Sequence, residues 1–97
     1  MLTRLGNENE FNSIISKGVW LVDFSATWCG PCRMLEPVLE EVSKENNILQ
    51  VDVDQCSELA RSFGIMSVPT IMCFKDGKLV KKDVGYKTVS EIEEFMK

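Results

Sequence analysis

A strand that runs directly into a helix carrying two cysteines constrains this chain more than any other feature. Residues 19–24 are almost continuously apolar, as expected for a strand covered on both faces of a parallel sheet. Cys29 and Cys32 follow at the start of a helical pattern, where unpaired backbone N–H groups and the helix dipole favour an anion. A thiolate therefore forms more easily on Cys29 than on a free cysteine. The second thiol lies within reach of the first across one helical turn, which predicts a site that makes and breaks disulfides.

Length and composition indicate one folded domain. A chain of 97 residues, 44% of them hydrophobic, can bury one core, so we expect a single domain over residues 1–97. The formal net charge of −4 gives no electrostatic reason to expect nucleic acid or a membrane as a partner. The N-terminal residues contain no apolar export signal. We therefore expect a cytoplasmic protein, where two closely spaced cysteines are more often catalytic or metal-binding than a structural disulfide.

Apolar periodicity predicts alternating strands and helices with short connections. The expected elements are a helix from Asn7 to Gly18 begun by Asn7 and Glu10, a strand over 19–24, a helix after Cys29, a strand over 48–53, a short helix from Cys56 to Gly64, strands over 70–75 and 78–84 joined by Asp76-Gly77, and a last helix opened by a capping box of Thr88 and Glu91. The lysines of the last strand suit an exposed sheet edge. We expect an α/β fold, with one mixed sheet flanked by helices on both faces.

Several motifs in a fixed order resemble the thioredoxin family. They are Trp28-Cys29-Gly30-Pro31-Cys32 within residues 22–32, then Val51-Asp52-Val53-Asp54, Ser67-Val68-Pro69-Thr70, Phe74-Lys75-Asp76-Gly77 and Val84-Gly85. A lone pair of cysteines at this spacing is a weak signal, whereas this ordered set covers essentially the whole chain. The resemblance implies the thioredoxin fold and a thiol–disulfide oxidoreductase.

The resemblance also implies different roles for the two cysteines. Cys29 would be the nucleophile that forms a mixed disulfide with a client protein, and Cys32 would be the thiol that resolves it. Gly30 and Pro31 add no charge between them, whereas a histidine there would stabilise the thiolate and favour an oxidant. The uncharged spacer therefore favours a reductant.

Asp23 is the one acid in the first apolar strand. Composition alone favours a carboxylate at a strand end that reaches water. The resemblance implies instead a catalytic acid buried behind the cysteine pair, where burial raises its pKa and lets it exchange a proton with Cys32 through a water. Some members of the family have a lysine near this acid, where this chain has Gln50. Without that cation, the pKa of Asp23 would rise further.

A substrate-binding surface around the cysteines is also implied by the resemblance. A cis peptide bond between Val68 and Pro69 is expected there, although most bonds to proline are trans. The backbone of Val68 would then pair with an extended client segment. The surface would comprise Trp28, Gly30, Pro31, Met66, Ser67, Val68, Pro69 and Gly85.

Other readings of the cysteines remain open. A permanent structural disulfide is disfavoured in a chain that can build a core without one. A zinc site would need Cys56 and Cys73, which are separate single cysteines, and no histidine is present. Both are more typical of small core residues, with Cys56 the more exposed of the two. A haem-attachment site fails because Arg33 follows Cys32. We expect no metal and no cofactor beyond the redox-active disulfide.

The function that these features favour is a general protein-disulfide reductase and electron carrier that serves cell redox homeostasis. Thioredoxin reductase would be its electron donor, disulfide-containing clients would bind transiently, and the protein would be a monomer. The alternative is a binding module, in which the same surface recruits a partner and the redox state only switches the contact. A thiol isomerase or oxidase is a third possibility, which Gly30 and Pro31 disfavour.

Overall fold

The sheet has five strands, two of which pair in parallel with the same neighbour. A computed structural model describes all 97 residues. The elements are β1 (Leu2–Arg4), α1 (Phe11–Ile14), β2 (Val19–Ser25), α2 (Gly30–Val42), β3 (Asn47–Asp52), α3 (Ser57–Ser62), β4 (Thr70–Lys75), β5 (Lys78–Val84) and α4 (Val89–Phe95). The strand order is β1-β3-β2-β4-β5, with β1 and β2 parallel to β3 and the other pairs antiparallel. The predicted mixed sheet is confirmed.

Helices cover both faces of this sheet, as predicted, and divide the core into two layers. One layer lies under α1 and α3 and includes Phe11, Trp20, Val22, Phe24, Leu49, Val51, Ala60 and Phe74. The other lies under α2 and α4 and includes Leu21, Leu35, Leu39, Ile48, Ile71 and Ile92. None of the helices combines the length and the apolar character that crossing a membrane requires.

The beginning of the chain differs from the prediction. A short strand, β1, was not predicted, because three residues are too few to show a period of two. It pairs with β3 so that Arg4 lies opposite Gln50. The first helix opens with a 3-10 turn over Glu8–Glu10 and ends early, at Ile14. Asn7 caps this turn by accepting the N–H of Asn9, at 3.0 Å.

The last third follows the prediction closely. Asp76 and Gly77 have positive φ angles of 50° and 83°, as a two-residue hairpin turn requires. Every residue of β5 is exposed at the sheet edge, including its lysines. Thr88 and Glu91 form the expected capping box, because each side chain accepts the other residue's backbone N–H.

The helix that carries the cysteines is held to the sheet by its apolar face. Leu35 and Leu39 of α2 are fully buried, whereas Met34 on the same helix is 64% exposed. The buried side chains fix the distance and rotation of α2 relative to β2. They therefore fix where the first turn of the helix lies.

Truncating this buried contact tests how α2 is anchored. Leu39→Ala is expected to lower the free energy of unfolding by about 2–5 kcal/mol, because it leaves a cavity in the core. Met34→Ala is the matched control and is expected to change it by less than about 0.5 kcal/mol. Urea unfolding followed by circular dichroism measures both. Equal losses in the two variants would contradict the packing described here.

Candidate redox site

The two cysteines are joined by a disulfide at the N-terminus of α2. Cys29 is the N-cap, with extended backbone angles, and Cys32 lies in the first turn, with 5.2 Å between the Cα atoms. The backbone N–H of Cys32 donates to Sγ of Cys29 at 3.1 Å. Both residues are buried in this form, at 5% and 3% exposed. An otherwise unpaired N–H of the helix thus points at one sulfur, which favours negative charge on Cys29.

The segment before β4 faces the disulfide. Sγ of Cys29 lies 3.7 Å from the carbonyl oxygen of Val68. The bond between Val68 and Pro69 is cis, as expected. The backbone N–H of Gly85 donates to the carbonyl of Pro69 at 2.8 Å, which ties Gly85 to the same segment.

The residues expected to bind substrate differ in exposure. Met66 is 95% and Trp28 is 68% exposed. Gly30, Pro31 and Ser67 are exposed, Val68 and Gly85 are half-buried, and Pro69 is buried. Pro69 therefore offers little surface of its own, and the neighbouring Val68 is the more accessible of the two.

A shallow apolar groove lies beside Trp28. Its lining is formed by Trp28, Val53, Ile65, Met66, Ser67 and Val68. The indole N–H of Trp28 donates to Oδ2 of Asp54 at 3.0 Å. This bond holds an exposed aromatic ring in place next to the disulfide, a contact that the sequence motifs did not reveal.

Asp23 is fully buried in β2. The reading from composition alone, a carboxylate that reaches water, is therefore wrong. Burial raises the pKa of Asp23 from 3.8 to about 7; the hydrogen bond from Gln50 lowers it in part, and the negative charge of Glu36 raises it. Its Oδ1 atom has no hydrogen-bond partner. This acid can gain or lose a proton near neutral pH.

Gln50 connects Asp23 to two charged residues. Its Nε2 atom donates to Oδ2 of Asp23 at 3.3 Å and to Oε1 of Glu36 at 3.4 Å. Its Oε1 atom accepts from Nε of Arg4 at 3.1 Å. Arg4 Nη2 also lies 3.9 Å from Oε1 of Glu36.

Arg4 and Glu36 were missed by sequence reasoning. Glu36 could have been found, because it follows Cys32 by four residues and so lies on the same face of α2. Arg4 gave no signal, because its place beside Gln50 depends on a strand pairing that the sequence does not reveal.

A cleft of about 230 Å³ reaches this network from the surface. Its lining includes Cys32, Thr27, Gln50, Glu36 and Arg4. The cleft therefore has room for water between the second sulfur and the amide that contacts Asp23.

The other two cysteines lie in the core. Cys56 is 2% exposed and Cys73 is 0% exposed, so both are core residues, as expected, and Cys56 is not partly exposed. Burial raises the pKa of both thiols, which keeps them protonated and unreactive. No three His, Cys, Asp or Glu side chains come together in a group that could hold a metal ion.

Sequence comparisons match one family over almost the whole chain. The family model for thioredoxin matches residues 3–97. The chain is 47% identical over 90 residues to the thioredoxin of Listeria monocytogenes, covering 89% of this chain and 87% of that protein. It is 42% identical over 93 residues to the thioredoxin of Bacillus subtilis, covering 92% and 89%.

Solved structures agree with the sequence matches. A mutant thioredoxin from Halobacterium salinarum superposes with a TM-score of 0.92 at 34% identity, covering 98% of this chain and 87% of that one. The oxidized mitochondrial thioredoxin 3 of Saccharomyces cerevisiae gives a TM-score of 0.87 at 31% identity, covering 98% and 92%. Sequence and structure match the same family.

Replacing Asp23 with Asn is expected to change how stability depends on pH. Below about pH 4 the carboxyl is protonated in both the folded and the unfolded chain. Between 3.8 and about 7 the unfolded chain ionises Asp23 while the folded chain keeps the proton, so the stability of the unsubstituted protein falls across this window. The upper limit is roughly 4 kcal/mol, at 1.36 kcal/mol for each pH unit between those values.

Urea unfolding of both proteins at about pH 4 and about pH 8 measures this difference. Asp23→Asn is expected to gain stability relative to the unsubstituted protein as pH rises. Glu40→Asn, at an exposed position on α2, is the control for removing one negative charge and is expected to show no such gain. A stability difference that stays constant with pH would contradict the burial of an ionisable Asp23.

Proposed function

This chain belongs to the thioredoxin family and is a thiol–disulfide oxidoreductase that carries electrons on Cys29 and Cys32, and we propose how its own residues do so. The observation that carries the proposal is the Cys32 N–H directed at Sγ of Cys29 at the start of α2. Members of this family use no cofactor beyond the redox-active disulfide. The whole chain, residues 1–97, acts as one domain.

In the first step, Cys29 is the nucleophile. Its thiolate attacks one sulfur of a client disulfide, so a bond forms between Cys29 and the client while the client's own S–S bond breaks. The departing client sulfur leaves as a thiolate and takes a proton from water. The helix N-terminus supports this step, because it stabilises the thiolate before attack.

In the second step, Cys32 resolves the mixed disulfide. The Cys32 thiol passes its proton through water in the cleft to the Asp23 carboxylate, and its sulfur attacks Sγ of Cys29. The Cys29–Cys32 bond forms, the bond to the client breaks, and the second client sulfur leaves as a thiolate. Two electrons have then passed from the protein to the client. The burial of Asp23 and its pKa of about 7 support this role.

Clients bind along Val68 and against the exposed side chains around it. The N–H and C=O of Val68 make no hydrogen bonds to other backbone groups, so they can pair with an extended segment, as in strand addition, and the C=O also faces Sγ of Cys29 at 3.7 Å. Trp28, Met66 and Ser67 offer a mostly apolar side to that segment, and Gly30, Pro31 and Gly85 leave room for its backbone. Pro69 takes part by shaping the segment that presents Val68. Such a surface suits many flexible clients.

The expected partners are a reductase and disulfide-containing clients. We propose that thioredoxin reductase returns two electrons to the Cys29–Cys32 disulfide, and that the protein works as a cytoplasmic monomer in cell redox homeostasis. One structural neighbour, at 30% identity, comes from work on the thiol-resolving mechanism of the yeast mitochondrial 1-Cys peroxiredoxin via glutathione and thioredoxin systems. A peroxide-reducing thiol protein is therefore a reasonable first client to test.

Single-cysteine variants test the two roles. Cys32→Ser is expected to accumulate a mixed disulfide with a protein substrate such as insulin, because the resolving thiol is gone. Cys29→Ser is expected to form no adduct and to lose insulin reduction driven by dithiothreitol. Non-reducing gels and the turbidity of reduced insulin measure these outcomes. Reduction by the unsubstituted protein at the rate of Cys29→Ser would favour the binding-module alternative.

Asp23→Asn tests the proton acceptor. With an excess of an aromatic disulfide, attack by Cys29 is fast and the release of the second aromatic thiolate reports resolution by Cys32. At pH 7 the variant is expected to resolve about tenfold more slowly or worse, because Cys32 loses its base. The resolution rate of the variant should then increase only as the pH approaches the pKa of a free thiol, about 8.5. An unchanged rate and pH profile would remove Asp23 from the reaction.

A further inference from the structure

We propose that Arg4 and Glu36 are positioning residues for the buried acid: acting through the side-chain amide of Gln50, they set how readily Asp23 releases its proton. No hydrogen bond or ion pair joins either residue to the reacting sulfurs. The inference rests on the proposed role of Asp23 and concerns what controls it.

Arg4 determines which way the Gln50 amide faces. A guanidinium can only donate, so the bond of 3.1 Å from Arg4 Nε must end on the oxygen of the amide. The NH₂ group is then turned towards Asp23 and Glu36, which accept its two protons at 3.3 and 3.4 Å. A donated hydrogen bond favours the ionised form of Asp23. Without Arg4, the amide is free to present its oxygen instead, which favours the protonated acid.

Glu36 acts in the opposite direction. Its carboxylate shares the same NH₂ group with Asp23, so it places a second negative charge next to the buried one and opposes ionisation. Arg4 Nη2, 3.9 Å from that carboxylate, offsets part of this charge. One residue therefore assists the release of the proton and the other hinders it.

No other charged side chain hydrogen-bonds to this network, and the further charged residues that line the same cleft are Arg33 of α2 and Asp52 of β3. Gln50 faces Asp23 from β3, and Glu36 comes from α2 together with Cys32, which titrates only when reduced. On the β4 side its register partner is the apolar residue Ile71. Arg4 reaches the network from β1 through Gln50. Arg4, Glu36 and Gln50 line the same cleft as Cys32. A change in this network therefore alters the surroundings in which Cys32 is proposed to lose its proton.

Two charge-removing variants give opposite expectations. Arg4→Met should raise the pKa of Asp23 and Glu36→Gln should lower it, each by about 0.5, which alters the ratio of protonated to ionised acid about threefold. Arg61→Met and Glu40→Gln remove the same charges at exposed positions and should leave the pKa unchanged. Carbon-13 NMR of the Asp23 carboxyl in the oxidised protein measures the titration without interference from Cys29 and Cys32, which do not titrate as a disulfide.

The pH profile of the resolution step is measured on the same four variants. Its midpoint should move in the same direction as the Asp23 titration for Arg4→Met and for Glu36→Gln. Shifts of the same sign in these two variants, or shifts no larger than those of their controls, would overturn the proposal. If the pKa of Asp23 shifts in opposite directions in the two variants while the pH profile of resolution does not move, the effect of Arg4 and Glu36 on Asp23 is upheld. The same result would refute Asp23 as the base for Cys32.

Discussion

The hydrogen bond from the Cys32 N–H to Sγ of Cys29 is the contact on which the chemistry of this protein depends. This hydrogen bond forms because β2 is followed closely by the N-terminus of α2, and because Leu35 and Leu39 hold that helix against the sheet. A helix start has backbone N–H groups with no partner within the helix. Here one of them is directed at a sulfur, which favours a thiolate on Cys29, and the proposed mechanism assigns the second reaction to Cys32.

The burial of Asp23 behind the cysteine pair reduces the stability of the protein. A buried, ionisable Asp23 with an unpartnered oxygen lowers stability at neutral and higher pH. An apolar side chain in β2 would avoid this cost. In the proposed reaction this cost is offset by a proton acceptor whose pKa is about 7, next to a cleft lined by Cys32 and Gln50. The Gln50 amide supplies one hydrogen bond to the carboxylate, which limits how far burial raises its pKa.

Much of this could be predicted from the sequence, and the limits have physical causes. The strand-to-helix junction, the Asp76-Gly77 turn and the box of Thr88 and Glu91 are signals between residues close in the chain, and all three were correct. Two other features depended on distant contacts. Arg4 lies beside Gln50 only because β1 pairs with β3, and a strand of three residues leaves no pattern. Cys56 was expected in the core, and how fully it is buried depends on the layer under α3 that covers it.

The pKa of Cys29 is measured by titrating the thiolate absorbance of the reduced protein and subtracting that of reduced Cys29→Ser. Cys56 and Cys73 are present in both samples, so their absorbance cancels in the difference, and burial raises the pKa of each thiol. Because the helix N-terminus stabilises its thiolate, Cys29 is expected to ionise clearly below about 8.5, the pKa of a free cysteine. A midpoint at or above that value would contradict this expectation, because the N-terminus of α2 would then provide no stabilisation of the thiolate.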